Sequence, residues 1–381
     1  MDFDLTEEQQ MIRRTVREFS EAEISPGAAE RDEGAIFPHE LIPKLASLNL
    51  MGILIPESHG GAGLDLMSAA IIVEELARVD GAIALTVAAH NSLCLSHLYR
   101  FGDENQRRLY VGRLARGELL GAWALTEPEA GSDIGAIRTT ARPDGGGWIL
   151  NGAKMFTTHG SVAGVYVVIA STDPSRGRKG LSAFVVERGA PGLAPGRAER
   201  KLGMRASDTA AVYLEEVRAG AENLIGELHA GYAQVKEILK AGRVIIGALA
   251  VGLAQGAFEA ALKYARQRVQ FGKPIGAHGA IQAMIADLSA EIDAARLLVY
   301  RAADLHDRGK PYEVEASMAK LYASEAAMRA TNKALQIHGG YGFLKDYPVE
   351  RYLRDAKLCE IGEGTSEIQR IVIARRLLKA G

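Results

Sequence analysis

Cysteine is almost absent: Cys94 and Cys359 are the only two among 381 residues. So far apart, they cannot build a disulfide framework or a cysteine-rich zinc site, and the chain reads as a reduced, cytosolic protein. An excess of one charge is missing too. The 45 basic and 47 acidic residues leave a net charge of −2, which gives no support for binding nucleic acid or an acidic membrane surface. Proline, at 12 residues, is too scarce for a low-complexity segment. The longest uncharged run, Gly81 to Tyr99, carries Thr86, His90, Asn91, Ser92, Ser96 and His97. It reads as a buried soluble helix, and no integral membrane segment is expected. The opening MDFDLTEEQQ lacks the basic and apolar regions of a signal peptide. The nine histidines show no HExxH or paired spacing, so no metal is expected. GxSxG and P-loop motifs are lacking as well.

What is present is an ordinary globular balance of 48% hydrophobic and 24% charged residues, with glycine prominent at 42. The length fits two or three domains. The first third reads helical. Thr6 and Gln9 match a capping box, followed by Ile12, Val16 and Phe19 at helical spacing. Leu66–Val79 and Gln106–Arg116 repeat that period, and Pro56–Leu64 reads as a loop. Near residue 121 the pattern changes. Asn151-Gly152 between two β-prone runs predicts a hairpin turn. Val165–Ala170, Leu181–Glu187 and Ala210–Leu214 read as strands. Residues 121–225 therefore predict a β domain, most simply a barrel or sandwich. Helical spacing returns from Gly231, with helices expected at 231–268, 278–308, 312–337 and 367–379, which suggests a four-helix bundle. Pro311 suits a first turn, and Gly339-Gly340 a helix end.

Five segments carry residues suited to chemistry, and each has a plainer reading beside it. Trp123–Asp133 places small residues, hydroxyls and backbone donors where helix gives way to strand; a turn would account for it equally well. In Lys154–His159, Phe156 and Thr158 share a strand face and could stack on a ring and bond its edge; a core aromatic is the alternative. Arg266–Pro274 could hold a phosphate or terminate a helix. Gln336–Gly342 offers bare backbone to a ligand, or a C-cap and turn. Glu363 sits between Gly362 and Gly364; in an apolar pocket its carboxylate becomes a usable base near neutral pH, and otherwise it is a solvated loop charge. Gly252 and Gly256 read as helix-packing positions.

Taken in this order, the five segments resemble the acyl-CoA dehydrogenase family. Trp123–Asp133 looks like one of its signatures and Tyr352–Arg370 like another, and the likeness runs over essentially the whole chain. The resemblance implies an α+β multidomain fold: an N-terminal all-α domain (1–120), a middle β-barrel (121–225) and a C-terminal four-helix bundle (226–381). It implies FAD as cofactor, an acyl-CoA thioester as substrate, electron-transfer flavoprotein as electron acceptor, and a homotetramer built as a dimer of dimers. Trp123, Leu125 and Thr126 would lie along the flavin ring, with Phe156 over its face and Thr158 near its reactive N5. Most relatives carry Trp at the Phe156 position. Arg268 and Phe271 match residues that hold the pyrophosphate and adenosine across a subunit interface, with His278 near them. Gln336, Gly339, Gly340, Thr365 and Glu367 match further FAD contacts. Ser132 matches a contact to the substrate's pantetheine arm and to the cofactor segment.

By the same resemblance Glu363 is the catalytic base, taking the α-proton while the β-hydrogen passes as hydride to the flavin. Arg243 orients that base, and Gly364 adjoins it at the thioester. Another branch carries its base one residue before this arginine, where this chain has Gly242, which cannot act as one. Gly362 replaces a residue that is often Tyr, Lys240 stands where several relatives have Asp, and Gly279 where many have Gln. Gly81–Tyr99 holds no Arg or Lys, which argues against a dicarboxyl substrate; the overall likeness leans toward butyryl and short branched acyl groups. Two other readings stay open: an oxygen-reactive flavin oxidase or monooxygenase on the same fold, and a non-enzymatic flavin- or CoA-binding assembly partner.

Overall fold

The computed structural model describes residues 4–379; the outermost positions of the two terminal spans expected above, 1–3 and 380–381, lie outside the described residues. Helix α1 (Glu7–Phe19) opens with the expected capping box: the Thr6 hydroxyl accepts from Gln9 N–H, and the Gln9 side chain accepts from Thr6 N–H. Caps of this kind are worth about 1 kcal/mol. Helices α2 (Leu66–Ala77) and α3 (Gly81–Ala89) follow, each N-capped by an aspartate, Asp65 and Asp80. The run from Gly81 is buried inside the protein, as its polar residues imply.

Eight strands fill the middle of the chain: β1 (Gly121–Ala124), β2 (Thr140–Asp144), β3 (Gly147–Thr158), β4 (Val165–Ser171), β5 (Leu181–Glu187), β6 (Leu193–Ala198), β7 (Thr209–Ala219) and β8 (Leu224–Ile225). They do not close into the expected barrel. The order is β6-β7-β3-β2-β4-β5-β8, with β1 alongside β4 in parallel, giving an open mixed sheet. Closure requires every strand to pair on both sides. Here β2 meets β4 at a single residue pair, Thr140 with Ser171. The edge strand β6 carries Pro195, which lacks a ladder donor, and β8 is only two residues long. Strand β4 is buried on both faces, as its unbroken apolar run requires: Val165, Val167 and Ile169 face one core, and Tyr166, Val168 and Ala170 the other.

The hairpin turn also differs from expectation. Asn151-Gly152 lies inside β3, and the chain reverses at Gly145-Gly146, between the paired Asp144 and Gly147. Both glycines have positive φ (53° and 94°), the geometry of a tight primed turn, and two glycines adopt it with less strain than Asn-Gly. Asn151 instead bonds the bulge at Glu216 through both its amide oxygen and nitrogen.

The last third holds α4 (Gly231–Gln267), α5 (Gly279–Asp307), α6 (Glu313–His338), α7 (Val349–Ile361) and α8 (Ser366–Leu377). These are five helices against the four expected, and α7 is the additional one. Although the sequence order is α, β, α, the outer thirds share one core, in which Ile72, Val73 and Leu76 of α2 join Val244, Leu249 and Leu253 of α4. Gly252 makes that approach possible, because a Cβ there would meet the Glu74 carbonyl at 2.2 Å. Helix α4 is long and apolar enough to cross a membrane, and most of its apolar stretch is buried by these neighbours.

Candidate active site

The segment after β1 is held by a buried ion pair. Lys154, with no exposed side-chain surface, donates to Glu127 Oε1 at 2.7 Å, to the Ile169 carbonyl at 2.6 Å and to the Leu125 carbonyl at 3.2 Å. All three ammonium hydrogens are thereby used. Burial pushes Lys154 down to about 8 against the pull of Glu127. Burial also works to raise Glu127, but Lys154 and the backbone N–H groups of Arg138 and Thr139 hold it below the usual carboxylate range. The Thr126 carbonyl accepts from Met155 N–H at 2.8 Å. Trp123–Thr126 and Lys154–Thr158 are thus fastened side by side, although they lie about thirty residues apart.

Trp123 is further fixed from behind. Its indole N–H donates to His97 Nδ1 at 3.0 Å, so His97 must carry its proton on Nε2, which faces Gln234 Oε1 at 3.1 Å near the start of α4. Burial pushes His97 down to about 4, which keeps it neutral.

Phe156 is 65% exposed, so the core-aromatic reading fails. Its φ is +54°, at a register break between β3 and β7. A bulky residue in the left-handed region is strained, and such strain concentrates where ligands bind. The bulge turns the ring outward, with part-exposed Thr158 two residues on. Ser132 is also exposed, at the bend before Asp133 caps a short turn.

The second cluster surrounds Glu363. Helix α7 ends at Ile361, and Thr365 caps α8 by accepting from Ile368 N–H. Between them Glu363 and Gly364 are both left-handed, at φ 53° and 94°. The Glu363 carboxylate points at α4, where a Cβ on Gly242 would lie 2.1 Å from its Oε2. That oxygen is buried and has no hydrogen-bond partner. Burial pushes the carboxyl up to about 7, against the lowering influence of Lys320 and Arg243. Arg243, on α4, donates to the Ser317 hydroxyl at 3.1 Å and leaves its buried Nε unpartnered. Gly364 carbonyl accepts from Gln369 Nε2 at 2.9 Å and from Lys320 Nζ at 2.7 Å. Glu367 is exposed in the first turn of α8, and backbone and Thr365 hydrogen bonds hold it below the usual range. Lys320 was not singled out in the sequence. A signal existed, since a lysine there interrupts a helix face otherwise made of Ala316, Ala319, Ala323 and Ala327.

A third group lies elsewhere. Arg268 ends α4, roughly 38 Å along the helix from Arg243 at 1.5 Å per residue. Beyond it a hairpin, β9 (Val269–Gln270) with β10 (Lys273–Pro274), presents Phe271 at 95% exposure, edge-on to His278 at 5.9 Å. The Arg268 guanidinium lies over Tyr341 at 5.4 Å, beside exposed Gly339 and Gly340 and one turn from exposed Gln336. The fold thus brings Arg268 together with the glycine-rich turn, but within one chain it does not bring either to Glu363. Lys240 is turned onto Glu237 at 2.6 Å, and around Gly362 a Cβ would meet only Leu358.

The first cluster can hold a planar ring against an exposed aromatic, and the second offers a carboxylate base at a helix junction. The chain matches the acyl-CoA dehydrogenase N-terminal domain over residues 6–118, the middle domain over 122–217 and the C-terminal domain over 229–378. It belongs to the acyl-CoA dehydrogenase family. It is 46% identical over 379 residues to a short-chain-specific acyl-CoA dehydrogenase of Clostridium acetobutylicum, covering 100% of both. Butyryl-CoA dehydrogenase from Megasphaera elsdenii superposes with a TM-score of 0.97 at 42% identity, over 99% of this chain and 100% of the other. A chain in a structure described as the electron transferring flavoprotein of Acidaminococcus fermentans gives 0.98 at 46%, over 100% of both. The three-domain family fold and an FAD cofactor follow from this membership.

Proposed function

We propose that the chain dehydrogenates short-chain acyl-CoA thioesters across the α,β bond, with Glu363 as the base. The observation that carries this is the Glu363 carboxyl itself: half-buried, with Oε2 fully buried and unpartnered, and pushed up to about 7. A base of that strength is half ionised near neutral pH and still able to accept a proton from carbon polarised by a thioester. FAD supplies the hydride acceptor, and Trp123, Leu125, Thr126, Phe156 and Thr158 are the residues that would hold its ring. The exposed, strained Phe156 and the clamped loop beside it fit such a ring. Glu363 would take the α-proton, and bound FAD would accept the β-hydrogen with its electron pair, so that the thioester leaves as trans-2-enoyl-CoA. Arg243 orients the carboxylate from α4. Gly364 and Ser132 are assigned to the thioester end and the pantetheine arm. Short-chain-specific and butyryl-CoA relatives support the substrate class.

Arg268, Phe271, His278, Gln336, Gly339 and Gly340 are assigned to the far half of FAD in a neighbouring subunit. The 95% exposure of Phe271 and the distance of this group from Arg243 support that reading, and with it a homotetramer. Thr365 and Glu367 are assigned to FAD contacts at the start of α8. Electron-transfer flavoprotein is the proposed acceptor, supported by the relative from Acidaminococcus fermentans. Domain limits near 120/121 and 225/226 and a cytoplasmic setting complete the proposal.

The test is to mix the FAD-loaded protein without air with saturated acyl-CoAs of graded length. Bleaching of the oxidised flavin band by four-carbon substrates, faster than by long or dicarboxyl ones, is expected. No bleaching by any member overturns the reading, and peroxide release under air at the turnover rate turns it into an oxidase.

A further inference from the structure

Lys320 has no exposed surface, lies in the alanine-lined middle of α6, and takes no part in the chemistry assigned above. Lysine is almost never fully buried unless something holds its charge. Here Nζ donates to the Gly364 carbonyl at 2.7 Å rather than to a carboxylate. That carbonyl belongs to the second of two successive left-handed residues, the first being Glu363. Left-handed geometry is unfavourable for glutamate and persists only where its surroundings impose it. Lys320 holds the Gly364 carbonyl from α6, and Gln369 holds the same carbonyl from α8 at 2.9 Å and reaches the Glu363 carbonyl at 3.3 Å.

We propose that Lys320 is a positioning residue for Glu363: its ammonium clamps the Gly364 carbonyl, so fixing the loop that carries the base, and keeps a positive charge beneath the carboxylate. This rests on the reading of Glu363 as the base. Three elements bring charge to the spot. Arg243 arrives from α4, Lys320 from α6 and Glu360 from α7, beside the Cys359 thiol, which burial keeps neutral; Glu313 and Tyr312 act on Arg243 from the start of α6. Burial pushes Lys320 down to about 8, and the Glu363 and Glu360 carboxylates favour its protonated form while Arg243 opposes it. It therefore remains an ammonium at neutral pH. Two cations beside one carboxylate counter the upward push of burial on Glu363. Removing either should leave the base protonated over more of the working range.

The test uses K320M, which keeps the length of the side chain but neither charge nor donor, and K320Q, which keeps a donor. Two readouts apply to the FAD-loaded protein: the pH profile of anaerobic flavin reduction, and the Glu363 carboxyl titration by difference infrared spectroscopy with E363Q as blank. In both variants the Glu363 midpoint should rise by about one unit or more, so that flavin reduction at pH 7 falls about fivefold. At high pH K320Q should regain the wild-type rate, whereas K320M stays slow because its loop is no longer clamped. An unmoved infrared midpoint in a folded variant, with rates within twofold of wild type, overturns the proposal and leaves Lys320 a packing residue. If K320M does not fold, K320Q decides by the midpoint. Wild-type flavin that no acyl-CoA bleaches refutes the base assignment instead, and the infrared midpoint still reports on Lys320.

Discussion

Gly242→Ala isolates the position of the base from every other property of the protein. A methyl group at 242 would sit 2.1 Å from Glu363 Oε2, where ordinary contact begins beyond 3 Å. The carboxylate must therefore withdraw by about 1 Å. A displacement of that size in a reacting group costs about 100-fold in rate, or about 2.7 kcal/mol of barrier. Stability should move the other way. Gly242 is interior to α4 in ordinary helical geometry, so alanine there should stabilise the helix by about 0.5–1 kcal/mol. Stopped-flow flavin reduction by butyryl-CoA, paired with a thermal melt of the same sample, separates the two effects. The expected result is a protein at least as stable as wild type, carrying FAD, and reduced about 100-fold more slowly. Reduction within about threefold of wild type would refute the idea that Gly242 provides the space in which the base works.

Three further outcomes follow from the same geometry. Phe156→Ala should weaken FAD binding about tenfold or more in a titration of the apoprotein, while urea unfolding of that apoprotein shifts by no more than about 0.5 kcal/mol, because the ring is exposed. Lys154→Met should cost about 3 kcal/mol in urea unfolding by leaving buried Glu127 without its cation, and should also loosen FAD by releasing the Leu125 and Ile169 carbonyls. Asp355 is a buried carboxyl pushed up to about 7 by burial, with Asp80 and Asp32 adding to the rise, while the Met204 N–H bond and Arg351 pull against it. Its folded value lies above its unfolded one, so its stabilising contribution is full below about pH 4 and is lost as pH rises through 7. Relative to Asp355→Asn, wild type should therefore lose stability steadily from pH 4 to pH 7 in paired thermal melts, and parallel curves would contradict this.

The parts of the fold that could be read in sequence were those with one dominant period or a local cap. Leu181–Glu187 is a strand with the expected ends, and Val165–Ser171 runs one residue longer than expected. The capping box at Thr6 needs only a four-residue window. Helix α7 escaped because its buried face includes Arg351 and Asp355, whose partners Val79 and Met204 are remote in sequence, so the apolar period is broken by residues that are nonetheless interior. Barrel closure depends on whether the outer strands meet, which no local pattern encodes. The turn differs because Asn-Gly and the Gly145–Gly147 run compete within eight residues, and pairing across β2 and β3 decides for the glycines.

At the site, residue type carried further than geometry did. A glutamate between two glycines was a candidate base from sequence, but its burial depends on α4 and on the absence of a side chain at 242. The Lys154–Glu127 pair and Lys320 are charged residues buried by the tertiary fold, and their partners are largely carbonyl groups that sequence cannot point to.

The most direct test is Glu363→Gln, which keeps the size and shape of the side chain and removes only its ability to take a proton. Flavin reduction by butyryl-CoA without air should fall by about 100-fold to 10,000-fold, the range of a lost general base, with FAD still bound and the melt unchanged. Reduction at a rate close to wild type would contradict the assignment of Glu363, and with it the mechanism built on it.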